Sequence, residues 1–245
     1  MRSFGLIGYP LTHSFSKKYF TEKFEREAIA DATYALFSIE EIGMLESLLK
    51  DHPDLRGLNV TIPHKIGVLS YLTQIDAAAA AIGAVNCLKI DRASQQIKGF
   101  NTDAYGFEES LKPFLEAHHQ KALVFGDGGA AQAVKYVLNK LNIPFLSIVR
   151  KQQNGAINYT DVDEVLLAEY TVLINTTPLG TFPAVDVCPE IPYPYLTDAH
   201  LAYDLIYNPE ETMFLRQARL QGAQTKNGLE MLILQAEKSW EIWNS

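Results

Sequence analysis

Cysteine is scarce: Cys87 and Cys188 are the only two in 245 residues, and neither stands in a C-x-x-C or Cys/His spacing. A disulfide framework and a structural zinc are therefore not expected, and no metal centre is predicted. A reducing cytoplasm is the expected compartment. Basic charge is also short, with 21 Lys+Arg against 29 Asp+Glu, a formal net charge of -8 and a pI near 5.3. No global positive field draws the chain to nucleic acid or to an anionic membrane, so any anion site must be local. A run of ~18 apolar residues that would span a bilayer is missing. The segment 1–9 is too short for a signal core before Pro10 interrupts it. Fixed-period repeats and low-complexity tracts are missing as well. What is present is ordinary globular usage, 47% hydrophobic and 20% charged, enough for a sizeable core.

At ~100 to 200 residues per domain this length admits one large or two small domains, and the pattern reads as two. Short β-branched or aromatic runs alternate with helical patterns, which predicts an α/β fold with mainly parallel sheets. The first hundred residues read as strand 3–8, helix 16–27, strand 33–39, helix 40–49 and strand 58–62. A hairpin of 85–90 and 96–101 follows, and a turn centred between Ala93 and Ser94 sets Asn86 opposite Asn101 on one rim. After Thr102 a helix is predicted to about Ala117. A second strand-helix series then begins at Lys121 with ALVF, a glycine turn, AAQAVKYVLNKL and PFLSIV. The predicted division is one α/β domain over 1–102 and a second over 103–227. The last helix, 228–245, carries Leu229, Leu232, Ile233, Ala236 and Trp240 on one face and is expected to pack back on the first domain.

Gly126-Asp127-Gly128-Gly129-Ala130-Ala131 follows a buried-type strand and opens an amphipathic helix, the context in which G-x-G-x-x-[GA] signals a dinucleotide site. Glycines let backbone N–H groups approach a pyrophosphate, and the helix N-terminus adds roughly half a positive charge. Gly126, Gly128, Gly129 and Ala130 are thus candidate cofactor contacts. At the end of the next strand an acid would hold the ribose diol of NAD, whereas a cation would accept the 2'-phosphate of NADP. Arg150 and Lys151 stand there with no acid, which predicts NADP.

The segment Gly57-Leu58-Asn59-Val60-Thr61-Ile62-Pro63-His64-Lys65 alternates, so Leu58, Val60 and Ile62 are expected on a core face and Asn59 and Thr61 on the other. Lys65 falls in the first turn after Pro63, where a helix N-terminus disfavours positive charge and so suits a proton shuttle. Ser14 and Ser16 lie just before a helix. One of them suffices as a cap, and a pair beside free N–H groups can hold a carboxylate. Asn86, Asn101 and Asp103 gather at one end of the hairpin, Asp103 reading either as a helix cap or as a functional carboxyl.

In order, H-S-x-S, N-V-T-x-P-x-K, G-A-V-N, N-T-D-x-x-G and G-x-G-G-A, continued by N-T-T-P-L-G at Asn175, D-L-I-Y-N-P at Asp204 and G-L-E-M-L-I-L-Q-A at Gly228, resemble the shikimate dehydrogenase family over nearly the whole chain. The resemblance implies two α/β domains, a substrate-binding and catalytic one over 1–102 and a Rossmann-like NADP-binding (dinucleotide-binding) one over 103–227, with a catalytic cleft between them. It also implies reversible NADP-dependent reduction of 3-dehydroshikimate to shikimate, a step toward chorismate and the aromatic amino acids. Lys65 and Asp103 match the family's catalytic pair, and Ser14 and Ser16 its carboxylate-binding serines. Thr61, Asn86, Asn101, Tyr207 and Gln235 match the remaining substrate contacts, while Thr176, Leu205 and Gly228 match cofactor-side positions. The implied partner is a small-molecule substrate, with no nucleic acid or membrane, in a monomer or homodimer.

Several positions depart from the family pattern. Lys17 stands for the usual proline, Tyr19-Phe20 for His-Asn, Cys87 for threonine and Val149 for asparagine, and Asn154 replaces a second basic residue. Asp127 places a negative charge in the glycine turn, which disfavours a pyrophosphate unless the carboxylate points away. A quinate and shikimate dehydrogenase of broader cofactor use is the nearest rival. A catalytically silent ligand sensor is another, but it has no need of Lys65 together with Asp103.

Overall fold

The computed structural model describes residues 1–11, 14–150 and 155–245. The chain divides into two units, Met1–Thr102 with Ala236–Ser245, and Asp103–Gln235.

In chain order the first unit contains β1 (Arg2–Gly8), α1 (Phe15–Arg26), β2 (Ala32–Ser38), α2 (Leu45–Asp51), β3 (Leu55–Val60) and α3 (His64–Gly67), then β4 (Gln74–Ile75), α4 (Ala77–Ile82), β5 (Cys87–Asp91) and β6 (Gln96–Phe100). Its sheet runs β2-β1-β3-β5-β6-β4, with β1 parallel to β2 and β3, and β5 antiparallel to β3 and β6. Side-chain alternation loads both faces of this sheet. Phe4 and Leu6 of β1 join Phe20, Phe24, Tyr34 and Trp243 on one side. Ile7 joins Leu58, Val60 and Leu88 on the other.

The second unit contains α5 (Thr102–Leu111, whose first residue belongs to the first unit), β7 (Ala122–Phe125), α6 (Gly129–Lys140), β8 (Phe145–Val149), β9 (Ala156–Asn158) and α7 (Glu164–Glu169). Next come β10 (Val172–Asn175), β11 (Leu201–Asp204), α8 (Met213–Leu220), β12 (Gln224–Lys226) and α9 (Leu229–Asn244), which supplies the first unit from Ala236 onward. The sheet order is β12-β11-β10-β7-β8-β9, parallel throughout. Counted by sequence this is the doubly wound 3-2-1-4-5-6 order of dinucleotide-binding folds, with its switch point between β7 and β10. β7, β10 and β11 are buried at every residue, as parallel strands covered on both faces require.

The hairpin register is the one expected: Ile90 pairs with Ile97 and Cys87 with Phe100. Three details differ. The helix after Thr102 ends at Leu111 rather than near Ala117, because Pro113 lacks the N–H that an α-helix needs and the chain tightens into a 3-10 turn. β3 ends at Val60, so Ile62, expected on the core face, is 73% exposed. In α9 the most deeply buried residues are Met231, Gln235, Ala236, Ser239 and Trp243, while Leu229 is largely exposed. A stripe containing glutamine and serine is thus buried where a wholly apolar face was read.

Candidate active site

Within the first unit the motif residues gather where β1, β3 and β6 end and β5 begins. Backbone bonds join these ends: Thr61 N donates to the Ile7 carbonyl at 2.9 Å, Val60 N to the Asn86 carbonyl at 2.8 Å, and Val85 N to the Lys65 carbonyl at 2.8 Å. Lys65 is therefore tied through its own backbone to the Gly83–Asn86 segment, half-buried in the short helix α3. Asn86 and Asn101 lie side by side on the rim. The Asn101 Nδ2 donates to the Ala84 carbonyl at 2.9 Å. The Asn86 Oδ1 accepts from Thr102 N at 2.6 Å, and its Nδ2 donates to Thr102 Oγ1 at 3.0 Å. Both amides are buried and held in one orientation.

The two serines are distinguished by their partners. Ser14 is the N-cap of α1, its Oγ accepting from Lys17 N at 3.3 Å. Ser16 lies inside the helix near the Tyr34 phenol, whose own titration burial pushes well above the usual range. One residue caps, and the other presents its hydroxyl to the sheet.

In the second unit Asp103 occupies the first turn of α5, inside the helix rather than at its cap. One turn on, Gly106 has no side chain because the backbone of α9 lies against it, a Cβ there meeting the Met231 carbonyl oxygen at 2.5 Å and Gln235 N at 3.1 Å. This close approach brings Gln235 beside the face that carries Asp103, and it gives the glycine of N-T-D-x-x-G a steric reason. The Gln235 amide donates to the Leu232 carbonyl at 2.9 Å. Tyr207 follows β11 and is 37% exposed, its phenol raised by partial burial.

The glycine turn sits at the switch point. Gly126 adopts φ +102, which side chains rarely tolerate, and a Cβ there would lie 2.8 Å from the Thr176 hydroxyl oxygen. Thr176 is fixed in turn, its N and Oγ1 both donating to the Phe125 carbonyl, at 3.0 and 2.6 Å. Gly128 caps α6 with nothing within 4 Å of where a Cβ would stand, and Gly129 and Ala130 form its first turn. Such a bare, N–H-bearing helix start fits a pyrophosphate. The Asp127 carboxylate is turned to Lys135 and also accepts from the Gln132 amide at 3.3 Å, so its charge is compensated within α6. Arg150 is exposed at the end of β8. Lys151 and Asn154 lie outside the described residues. Leu205 and Gly228 are in direct contact: a Cβ on Gly228 would fall 2.0 Å from the Leu205 carbonyl oxygen, and Gly228 N donates to the Ile206 carbonyl at 3.0 Å. Among the described residues no group of three or more His, Cys, Asp or Glu is placed to hold a metal ion, and no helix is long and apolar enough to cross a membrane.

Sequence reading missed the residues beneath this surface. Asp204 is fully buried at the end of β11 and joins Asn175, Ile206 and Thr212. Tyr34, Asn59 and Ser239 form a buried polar group behind the substrate-side motifs. The signal available was Asn59, polar between the apolar Leu58 and Val60, and Ser239, polar one turn after Gln235.

These features have counterparts in known proteins. A family model described as the shikimate dehydrogenase substrate binding domain matches residues 6–88. A protein named shikimate dehydrogenase (NADP(+)) from Caldanaerobacter subterraneus subsp. tengcongensis is 36% identical over 258 residues, covering 98% of this chain and 90% of the relative. Shikimate 5-dehydrogenase from Thermus thermophilus, solved in complex with NADP(H) and shikimate, matches with a TM-score of 0.86 at 29% identity over 99% of this chain and 93% of that one. Quinate dehydrogenase from Corynebacterium glutamicum, in complex with NAD, matches with a TM-score of 0.87 at 25% identity over 99% and 93%. Sequence identity sustained along nearly the full length of both chains, on the same two-sheet architecture, places this chain in the shikimate dehydrogenase family.

Proposed function

We propose that the protein catalyses the reversible NADP-dependent reduction of 3-dehydroshikimate to shikimate. The observation that carries this reading is the first-unit rim, where Thr61, Asn86 and Asn101 at the strand ends and Lys65 in the short helix α3 are held by backbone and side-chain hydrogen bonds. A small polyhydroxy acid is recognised by fixed donors and acceptors of this kind, because each buried polar group left unpaired costs ~1 to 3 kcal/mol. In this reading Ser14 and Ser16 hold the carboxylate, and Thr61, Asn86, Asn101, Tyr207 and Gln235 hold the ring hydroxyls.

Lys65 gives a proton to the carbonyl oxygen as it becomes an alcohol and takes it back in the oxidative direction, with Asp103 hydrogen-bonded to the same oxygen. The nicotinamide, when bound, supplies or accepts the hydride. The chain's own contribution on that side is the Gly126–Ala130 cradle for the phosphates, Thr176, Leu205 and Gly228 along the loops beside it, and Arg150 with Lys151 for the 2'-phosphate. Asp127 leaves this cradle usable because Lys135 balances its charge.

A second reading, oxidation of quinate with NAD, is motivated by the likeness to the Corynebacterium enzyme. Two features favour shikimate and NADP instead. Quinate carries an extra hydroxyl beside its carboxylate, which crowds the serine pair, and the chain offers Arg150-Lys151 with no acid at the ribose position. Reduced-cofactor formation with shikimate and quinate, each tested with NADP+ and NAD+, decides between them. Shikimate with NADP+ is expected to give the highest kcat/KM. A higher value for quinate with NAD+ selects the second reading, and inertness in all four combinations overturns both.

A further inference from the structure

Behind the rim, in the first unit, runs a continuous buried hydrogen-bond chain. The Tyr34 O–H donates to Asn59 Oδ1 at 2.8 Å, and Asn59 Nδ2 donates to Ser239 Oγ at 2.9 Å. The Ser239 and Thr102 hydroxyls lie 3.2 Å apart, and Thr102 is bonded to both ends of the Asn86 amide group. Tyr34, Asn59, Asn86, Thr102 and Ser239 are all at most 7% exposed. In so dry a setting each link is strong, and a missing member leaves its neighbours unsatisfied.

Ser239 is the link that comes from elsewhere in the sequence. Asn59 and Asn86 lie where β3 ends and β5 begins, and Thr102 follows β6, whereas Ser239 is delivered by α9. Its neighbours Ala236 and Trp243 are buried against the same face of the sheet, which fixes the helix in rotation and depth. A serine is required by the pairing: its oxygen accepts the Asn59 amide proton while the hydroxyl faces Thr102. Every member is neutral, so the chain transmits geometry and not charge.

We propose that Ser239 is a positioning residue for substrate binding, setting the Asn86 amide through the Thr102 hydroxyl. This rests on the reading of Asn86 as a substrate contact. Ser239 touches neither substrate nor cofactor in this scheme; it fixes the orientation in which Asn86 donates and accepts.

The test is a double-mutant cycle on shikimate oxidation with NADP+, using Ser239→Ala and Asn86→Ala. Ser239→Ala is expected to lower kcat/KM for shikimate roughly tenfold, with the KM for NADP+ unchanged. Added to Asn86→Ala it is expected to cost nothing further, because the residue it acts through is already gone. Wild-type kinetics for Ser239→Ala beside an impaired Asn86→Ala overturns this proposal and leaves the functional reading standing. Multiplicative losses in the double variant also overturn it, since a merely structural serine gives that result. Wild-type protein inert toward shikimate removes the reading and the proposal together. Should Ser239→Ala fail to fold, the same comparison is made at Thr102. Thr102→Val is expected to show the loss and Thr102→Ser to restore the activity, and equal activity of the two overturns the proposal.

Discussion

The Asp204 carboxylate accepts a hydrogen bond from the Asn175 amide at 3.0 Å, fastening the end of β11 to the end of β10. Ile206 N reaches the same oxygen at 3.0 Å, and the Thr212 hydroxyl donates to the other at 2.6 Å. Asn175 in turn accepts from Thr177 N at 3.0 Å. The two loops that carry Thr176 and Leu205 thus share one buried anchor. Burial outweighs these donors and pushes the Asp204 carboxyl up to about 6, from an ordinary 3.8.

That shift fixes the sign of a pH effect. The folded state holds the Asp204 proton more tightly than the unfolded chain does. The resulting stability is therefore complete below about pH 4 and lost as pH rises through about 6, a difference of about 3 kcal/mol. Asp204→Asn removes the titration. The unfolding free energy of wild type minus variant, measured with denaturant, should become more favourable to wild type as pH is lowered from 7 to 4. A difference that does not change with pH contradicts the assignment.

Lys135 is expected to matter through Asp127. Lys135→Met strands a carboxylate beside the phosphate cradle, and a like-charge interaction of about 1 kcal/mol there raises the KM for NADP+ roughly fivefold. Asp127→Ala combined with Lys135→Met should return it close to wild type. A double variant as impaired as the single one shows that the lysine acts on the cofactor directly.

Arg150 is expected to read the 2'-phosphate. Arg150→Ala should raise the KM for NADP+ about tenfold or more, the usual cost of losing a charge-assisted hydrogen bond, while the KM for NAD+ changes little. Equal effects on the two cofactors place Arg150 outside that role.

Local signals carried much of the architecture. Alternation in β3 separated Leu58 and Val60 from Asn59, the turn at Asp91 set the hairpin register, and the glycine turn announced the β7-α6 junction. What stayed hidden depends on contacts between distant segments. Ser239 gives no sign of its partners until α9 lies against Asn59 and Thr102, separated by 180 and 137 positions. Asp204 reads as a polar residue ending a strand, and only folding shows that it is buried and that Asn175 and Thr212 converge on it. Asp127 looked like a liability for the same reason: its counter-charge lies two helical turns further on, at Lys135.

The most direct test of the proposed chemistry is the steady-state kinetics of Lys65→Ala with shikimate and NADP+. Loss of a general acid/base is expected to reduce kcat by about 10² to 10⁴-fold while the KM for shikimate changes far less. An unchanged kcat with a raised KM would make Lys65 a binding residue and contradict the mechanism.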